Sequence, residues 1–401
     1  MIQSDFLYEV LQSQKNLQQK ESNTLIRENI DQVQVIENYA CIVSGIRRCG
    51  KSTLLKQIHS VKYPDALYIN FDDSRLYDFE MIDFQKIDSY IEQEEKHVLM
   101  FDELQLIKGW ERYVRQKLEE GFLVFVTGSN ASLLSRELGT SLTGRHISTE
   151  IFPFSYNEFC EFSNIERSFQ STEHYLEIGG FPEYVKTKNE NILINLLDDI
   201  LVRDIAVRYN IKDIRSLKRL TMFLLSNIGS LISANKLKEP SSLSSTTTIL
   251  EYLSYLENSY LIFTVPMFDY SLKKQSINPK KIYAIDTGLI KVNVSSLKDD
   301  KGHRLENLVF ISLRRKYKEI YYHKKKGECD FLVIEKGSIN LALQVCYELN
   351  FENREREFAG LTEAMSIYNL SIGYIVTMNQ EDSFIINNKE IKVLPYHKID
   401  F

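Results

Sequence analysis

A chain of 401 residues is long enough for two to three domains of ordinary size, each able to bury a core of its own. With 43% apolar and 26% charged residues it reads as a globular protein, and a net charge of −6 excludes a global pull toward nucleic acid, so any such contact needs local basic patches. The five cysteines, Cys41, Cys49, Cys160, Cys329 and Cys346, show no CxxC spacing, and neither a basic leader nor an apolar run near about 18 residues is present; the expectation is a reduced, cytoplasmic protein without disulfides, zinc or membrane contact.

Residues 1–38 are polar with helical spacing and read as an N-terminal helical arm whose sequence carries no chemistry. The stretch from 39 to 56, YACIVSGIRRCGKSTLLK, holds an apolar run, then Gly45-x-x-x-x-Gly50-Lys51-Ser52, then an apolar helix start. That is the Walker A pattern. A loop that wraps a polyphosphate turns its backbone N–H groups inward, and Gly45 and Gly50 permit the close approach and dihedrals that a side chain would block. Gly45, Ile46, Arg47, Arg48, Cys49, Gly50, Lys51, Ser52 and Thr53 are therefore the expected nucleotide-binding set. Lys51 is expected on the β- and γ-phosphates as a point charge, beside the positive end of the helix it starts, and the Ser52 hydroxyl on Mg²⁺. A chance Gly-Lys-Ser turn is the alternative; the flanking strand CIVSG and helix STLLKQI argue against it.

Over 39–150 the β-like runs ACIVSG, ALYINFD, HVLMFDE and FLVFVTG alternate with helical stretches such as KSTLLKQIH and WERYVRQKLEEG. The alternation specifies an α/β fold, a parallel sheet covered on both faces with ligand at the strands' carboxyl ends. HVLMFDE has the Walker B form, in which Asp102 holds Mg²⁺ with Ser52 and Glu103 polarises the attacking water. A Glu directly after the Asp favours hydrolysis over mere binding. The next strand ends in Thr127, Ser129 and Asn130. In additional-strand NTPases a polar side chain here senses the γ-phosphate, a role open to Ser129 or Asn130, against the alternative of an ordinary Gly-Ser-Asn turn. Arg145, in TSLTGRHI, is a candidate to reach a phosphate of its own or a neighbouring subunit. ATP is expected rather than GTP, because Asn-Lys-x-Asp is missing and its nearest match, Asn235-Lys236-Leu237-Lys238, lacks the acid.

From 151 to 212 the pattern turns helical, with Gly179, Gly180 and Pro182 as a break, and reads as a lid or linker. Residues 213–290 give three short helical segments and then the strand pair YLIFTVPMF and KIYAID, a winged-helix order. The segment in the recognition position, TTTILEYLSYLENS, carries Glu251 and Glu257 and neither Lys nor Arg, which favours packing against protein over reading DNA. Lys273, Lys274, Lys280 and Lys281 fall where a wing would be and keep DNA open as a partner.

GIRRCGKST, FDELQ followed by GWERYVRQ, TGSNASLL, LTGR, FPFSYNEF, GGFPEYV and VRDI, in this order, resemble the prokaryotic AAA-type ATPases that carry an uncharacterised C-terminal domain, relatives of the archaeal ATPase group. The resemblance runs over most of the chain. It implies an additional-strand P-loop core, a winged-helix segment and, over 291–401, a domain resembling restriction-endonuclease-like folds. Arg47, Arg48, Arg203 and Asp204 belong to that pattern without a role derivable from the residues.

An active nuclease of that fold holds Mg²⁺ between an Asp on one strand and a Glu on the next, with a Lys two residues on. Asp330 and Glu306 match; Gln344 and Cys346 stand where the second carboxylate and the lysine belong, so a degenerate version is expected. Lys324, Lys325 and Lys326, with Arg314, Arg315 and Lys316, form basic clusters that read as solvated faces or as nucleic-acid contacts. The expectation is an Mg²⁺-dependent ATPase coupling nucleotide state to conformational change, with DNA or another protein as partner and oligomerisation open. Its rivals are a nucleotide-gated switch with very slow hydrolysis and an ATP-regulated DNA nuclease.

Overall fold

Five apolar strands form the central sheet of the first part of the chain. In the computed structural model, which describes residues 2–20, 24–129, 144–294 and 300–400, these are β1 (Ala40–Ser44), β2 (Leu67–Asn70), β3 (Val98–Asp102), β4 (Leu123–Gly128) and β5 (His146–Glu150). All pair in parallel, in the order β2-β3-β4-β1-β5. A parallel sheet is covered on both faces, which is why β1, β3 and β4 are continuous apolar runs rather than alternating ones. Placing β4 between β1 and β3 separates the strand before the Gly-rich loop from the strand that ends in Asp102, and makes this an α/β core of the additional-strand kind. Helices α1 (Ser4–Lys20), α2 (Lys51–Lys62), α3 (Phe84–Gln93) and α4 (Trp110–Glu119) accompany it.

The N-terminal arm belongs to this core rather than leading up to it. Leu7, Val10 and Leu11, at helical spacing on α1, are buried in one cluster with Ile42, Ile69, Phe101 and Trp110. Gln14 then exchanges two hydrogen bonds with the backbone of Asn70, accepting from its N–H at 2.9 Å and donating to its carbonyl at 3.1 Å, which occupies the open edge of β2. β5 adds a fifth strand that the apolar-run pattern missed, because its residues His146–Glu150 are only half-buried at the sheet's other edge.

The chain divides into two compact units, Met1–Phe152 and Pro153–Phe401. The second opens with the helices Tyr156–Ser163, Phe169–Ile178, Pro182–Thr187 and Asn191–Asp199, the last continuing as a π-helical stretch Ile200–Val207 that bears exposed Arg203 and buried Asp204. Helices Ile214–Leu225, Lys238–Ser241 and Thr246–Asn258 follow, with a small antiparallel sheet of β6 (Leu231–Ile232), β7 (Ile262–Val265) and β8 (Lys280–Ala284) in the order β6-β8-β7. The remainder is a mixed sheet of six strands, β9 (Glu319–Lys324), β10 (Glu328–Glu335), β11 (Ser338–Val345), β12 (Ile372–Thr377), β13 (Asp382–Ile386) and β14 (Lys389–Pro395), in the order β13-β14-β12-β11-β10-β9, with the helices Lys301–Lys316 and Arg354–Ile367.

The Gly179-Gly180 break is a joint within this unit. The buried Asp286 carboxylate accepts from Gly180 N–H at 2.6 Å and from Leu289 N–H at 2.8 Å, capping the helix Thr287–Asn293. Gly179 takes φ +71°, and a methyl there would lie 2.2 Å from Asp286 Oδ1. Among the described residues no helix is long and apolar enough to cross a membrane.

Candidate functional site

The Gly-rich loop leaves β1 at Ser44 and enters α2 at Lys51 through Gly50, whose φ of +102° is left-handed backbone that favours glycine. Ile46 and Cys49 are fully buried with side chains in the core, so what they offer a ligand is backbone; Arg47 is half-buried and Arg48, at φ +61°, exposed. Lys51 is buried and its ammonium donates to the carbonyls of Gly45 at 3.2 Å and Ile46 at 3.0 Å, closing the loop on itself. The same nitrogen stands 3.9 Å from Glu103 Oε1. Thr53 lines a cavity of about 580 Å³ together with Gln57 and Tyr68.

β3 ends at Asp102, which is buried. Burial and the neighbouring Glu103 push its carboxyl above the usual carboxylate range, while hydrogen bonds from Thr127, Ser52 and Tyr68 pull it back in part. Ser52, from the first turn of α2, thus meets Asp102 from the end of β3, although the two lie on strand-and-helix units separated by β4. Tyr68 donates its phenol to Asp102 Oδ2 at 2.8 Å, and the Thr127 hydroxyl donates to Asp102 Oδ1. The Thr127 oxygen also accepts the Glu103 N–H at 2.9 Å. A hydroxyl gives one hydrogen and takes others, so Thr127 ties the Asp102 carboxylate to the Glu103 backbone through one atom. Glu103 itself sits at φ 54°, ψ 36°, a left-handed conformation uncommon for a side-chain-bearing residue, where the chain turns sharply out of β3. The Gln105 amide donates to its Oε2.

Of the residues expected to form the site, Lys51, Ser52, Asp102 and Glu103 are brought together at the carboxyl ends of β1 and β3. Ser129, buried, follows β4 on the same end, one residue beyond the Gly128–Ser44 pairing. Asn130 lies outside the described residues. Arg145 is not brought to the site. Because β5 runs parallel to β1 with His146 opposite Ala40 and Glu150 opposite Ser44, Arg145 stands at the amino end of the sheet, roughly 20 Å from the loop at a strand rise of about 3.3 Å per residue. It is exposed, and its carbonyl accepts from Ala40 N–H at 3.1 Å.

Two residues at the site carry little or no sequence signal of their part in it. Thr127 has one, a polar residue ending an apolar strand, but the pattern points equally to Ser129 and Asn130 as sensors. Tyr68 sits inside an ordinary apolar strand and has none.

Toward the C-terminus the carboxylates are arranged differently from a metal-holding pair. The buried Lys281 ammonium, from β8, contacts Asp330 Oδ1 at 2.7 Å, Glu328 Oε1 at 2.9 Å and Glu306 Oε1 at 3.0 Å. Burial pulls its pKa down but the surrounding acids more than offset this, holding it well above the ordinary lysine value. Glu306, which also accepts from Tyr283 at 2.6 Å, is pushed up to about 7 by burial and by Asp330. Gln344 donates to Glu357 at 2.6 Å and accepts the Asp330 N–H at 3.1 Å. Lys281 is therefore not part of a solvent-facing basic wing. Two members of the other expected basic clusters are likewise engaged internally: Arg315 donates to the carbonyls of Pro153 at 2.7 Å and Phe154 at 3.0 Å, and Arg314 lies over the Phe263 ring. Glu257, in the recognition position of the winged-helix order, accepts from Thr264 N–H at 3.1 Å.

The family models that match are an AAA domain over residues 37–160 and a domain of unknown function over residues 169–301. The chain is similar to an uncharacterized protein of Methanocaldococcus jannaschii, 35% identical across 96% of this chain and 92% of that one, and to an uncharacterized protein of Haemophilus influenzae, 31% identical across 79% of this chain and 84% of that one. A solved structure of the replication initiator DnaA bound to AMPPCP and single-stranded DNA aligns over 57% of this chain and 85% of that one at 16% identity and a TM-score of 0.29, a likeness too loose to bear on function.

Proposed function

The chain belongs to the AAA-type P-loop ATPases, and from that premise we propose that it binds ATP with Mg²⁺, hydrolyses it to ADP and phosphate, and uses the change to alter the conformation of the segments that follow the ATPase core. One observation carries this reading: Lys51, Ser52, Asp102 and Glu103, from two separate elements, converge at the carboxyl ends of β1 and β3. The donor set suits Mg²⁺, since a buried carboxylate and a hydroxyl are hard oxygen ligands. Bound there through Ser52 and Asp102, the ion would supply charge neutralisation for the phosphates.

The protein's own groups do the rest. The loop amides and Lys51 bind the phosphates, and phosphate oxygens replace the Gly45 and Ile46 carbonyls as acceptors for the ammonium. Drawing Lys51 toward phosphate takes it from Glu103, which then accepts a hydrogen bond from the attacking water and orients it in line with the γ-phosphate. Thr127 holds the two acids in register and Gln105 holds the free Glu103 oxygen. Ser129 or Asn130 is proposed as the γ-phosphate sensor. The winged-helix segment over 213–290 and the restriction-endonuclease-like segment over 291–401 are proposed as binding modules. Their partner is proposed to be a protein in preference to DNA, because Arg314, Arg315, Lys281 and Glu257 make internal contacts. Against phosphodiester cleavage stand Gln344 and Cys346 in the positions of an acid and a base, and an ammonium among the carboxylates.

The test is equilibrium ATP binding and steady-state hydrolysis, with and without single- and double-stranded DNA. Lys51→Ala is expected to abolish binding, and Glu103→Gln to bind ATP while losing turnover by about 100-fold or more. Unchanged binding by Lys51→Ala, or wild-type turnover by Glu103→Gln, overturns the proposal; DNA-stimulated turnover reassigns the partner.

A further inference from the structure

Arg27 lies in the arm before β1, far in sequence from the Gly-rich loop, and is among the largest fully buried side chains of the protein. A buried guanidinium must spend its donors. Here Nη1 donates to the Cys49 carbonyl at 2.6 Å and Nη2 to the Phe152 carbonyl at 2.8 Å. Its own N–H is fixed by Gln57 Oε1 at 3.1 Å, and the Gln57 amide donates back to the Leu25 carbonyl at 2.6 Å, so α2 anchors the segment that carries it. One planar group therefore spans the loop and the last residue of the first unit, after which Pro153 begins the second.

The loop and this exit segment touch at further points. Ile151 N–H donates to the Ser44 carbonyl at 2.7 Å, and the Cys49 thiol to the Ile151 carbonyl at 3.7 Å. A methyl on Gly45 would lie 2.2 Å from the Ile151 carbonyl oxygen, and one on Gly50 2.5 Å from Arg27 Nη1. A trans peptide carries its N–H opposite its C=O. With the Cys49 carbonyl held by Arg27, the Gly50 N–H is turned to the opposite side of that peptide, away from the guanidinium.

We propose that Arg27 is a positioning residue that sets the Cys49-Gly50 peptide for phosphate and transmits the loop's response to the exit segment at Phe152. The proposal rests on the nucleotide-binding reading of the loop. When phosphate draws the loop amides inward, the Cys49 carbonyl moves with its peptide plane, and the rigid two-pronged guanidinium passes that movement to the Phe152 carbonyl. A lysine, with a single ammonium on a flexible stem, keeps the charge and cannot bridge both carbonyls in fixed geometry.

The experiment is hydrogen exchange by mass spectrometry on the full chain, with and without Mg²⁺ and a non-hydrolysable ATP analogue, alongside equilibrium binding of the analogue. In the wild type, exchange is expected to change both in peptides covering 45–52 and in those covering 146–154. In Arg27→Lys the analogue is expected to bind roughly tenfold more weakly, with the loop peptide still responding at saturation and the exit peptide responding about half as strongly as in the wild type or less, the remainder passing through the Ile151 contacts, while the ligand-free circular dichroism is unchanged. An exit peptide that responds equally in Arg27→Lys overturns the proposal. So does a silent exit peptide in the wild type at saturating analogue, a result that needs no variant to fold. A wild type that does not bind the analogue at all overturns the nucleotide reading instead, and the inference falls with it.

Discussion

Replacing Lys281 with methionine keeps an unbranched apolar stem and removes one ammonium from among three carboxylates. That nitrogen has three hydrogens and contacts three acids, Asp330 at 2.7 Å, Glu328 at 2.9 Å and Glu306 at 3.0 Å, so no donor capacity is left over. Lys281, Glu306 and Asp330 are all buried, whereas Glu328 reaches solvent and can be rehydrated. Removing one partner of a buried ion pair costs about 3–5 kcal/mol, and the variant leaves Asp330 and Glu306 facing each other. The strain has one outlet, proton uptake. Glu306 already sits at about 7 in the intact cluster, and loss of the ammonium moves it higher. A carboxyl whose folded pKa lies above its unfolded value favours the folded state below the unfolded pKa and loses that support as pH rises through the folded value. The deficit of Lys281→Met is therefore expected to be smaller at pH 6 than at pH 8. Urea denaturation followed by far-UV circular dichroism at the two pH values measures it. A loss below about 1 kcal/mol at pH 8, or one independent of pH, would refute the claim that the ammonium neutralises a buried acidic cluster. Mg²⁺ offers a second reading: it is expected to stabilise Lys281→Met more than the wild type, whereas Mg²⁺-dependent cleavage of DNA by the wild type, abolished in Asp330→Ala, would restore the nuclease reading.

Asp286 is fully buried and burial raises it from 3.8 to about 6, against hydrogen bonds from Gly180, Leu289 and Gly288, so its charged form costs about 3 kcal/mol at neutral pH at 1.36 kcal/mol per pKa unit. Its folded pKa lies above the unfolded one, so the melting temperature is expected to rise as pH falls from 7 toward 4.5; Asp286→Asn should flatten that slope, and an unchanged slope would remove Asp286 from the account. Gly180→Ala places a methyl 2.3 Å from the Phe154 carbonyl oxygen, an overpacking expected to cost about 1–3 kcal/mol in thermal denaturation. Thr127→Val is nearly isosteric but strips Asp102 of one donor and the Glu103 N–H of its acceptor; turnover is expected to fall with ATP affinity largely kept, and an equal loss of both would show that the hydroxyl acts on binding.

What could be read from the sequence was local, and what could not be read was carried by distance. The four strands ACIVSG, ALYINFD, HVLMFDE and FLVFVTG announced themselves because strands buried on both faces need unbroken apolar runs, and the loop because phosphate binding needs glycines and a lysine at fixed spacing within one turn of chain. β5 gave no such signal because its residues stay partly exposed at an uncovered edge, whereas β2, at the opposite edge, is covered by α1 and keeps its apolar run. Arg145 reads as a ligand for a phosphate of its own or a neighbouring subunit, but the parallel register with β1 puts the start of β5 at the end of the sheet away from its own loop, and register is a property of two segments that no single stretch displays. Lys281 illustrates the same limit from the other side. In KKIYAID it looks like part of a basic wing open to DNA, yet Lys280 is half-buried and Lys281 buried, and what makes burial tolerable are Glu306, Glu328 and Asp330, contributed by the helix Lys301–Lys316 and by β10. Arg27 extends the point to function. Its meaning lies in two carbonyls 22 and 125 residues away, and main-chain carbonyls are invisible to any pattern of residue types. A charged residue in a polar arm reads as solvated until the fold shows that its two terminal nitrogens hold the phosphate loop at one end and the exit from the first unit at the other.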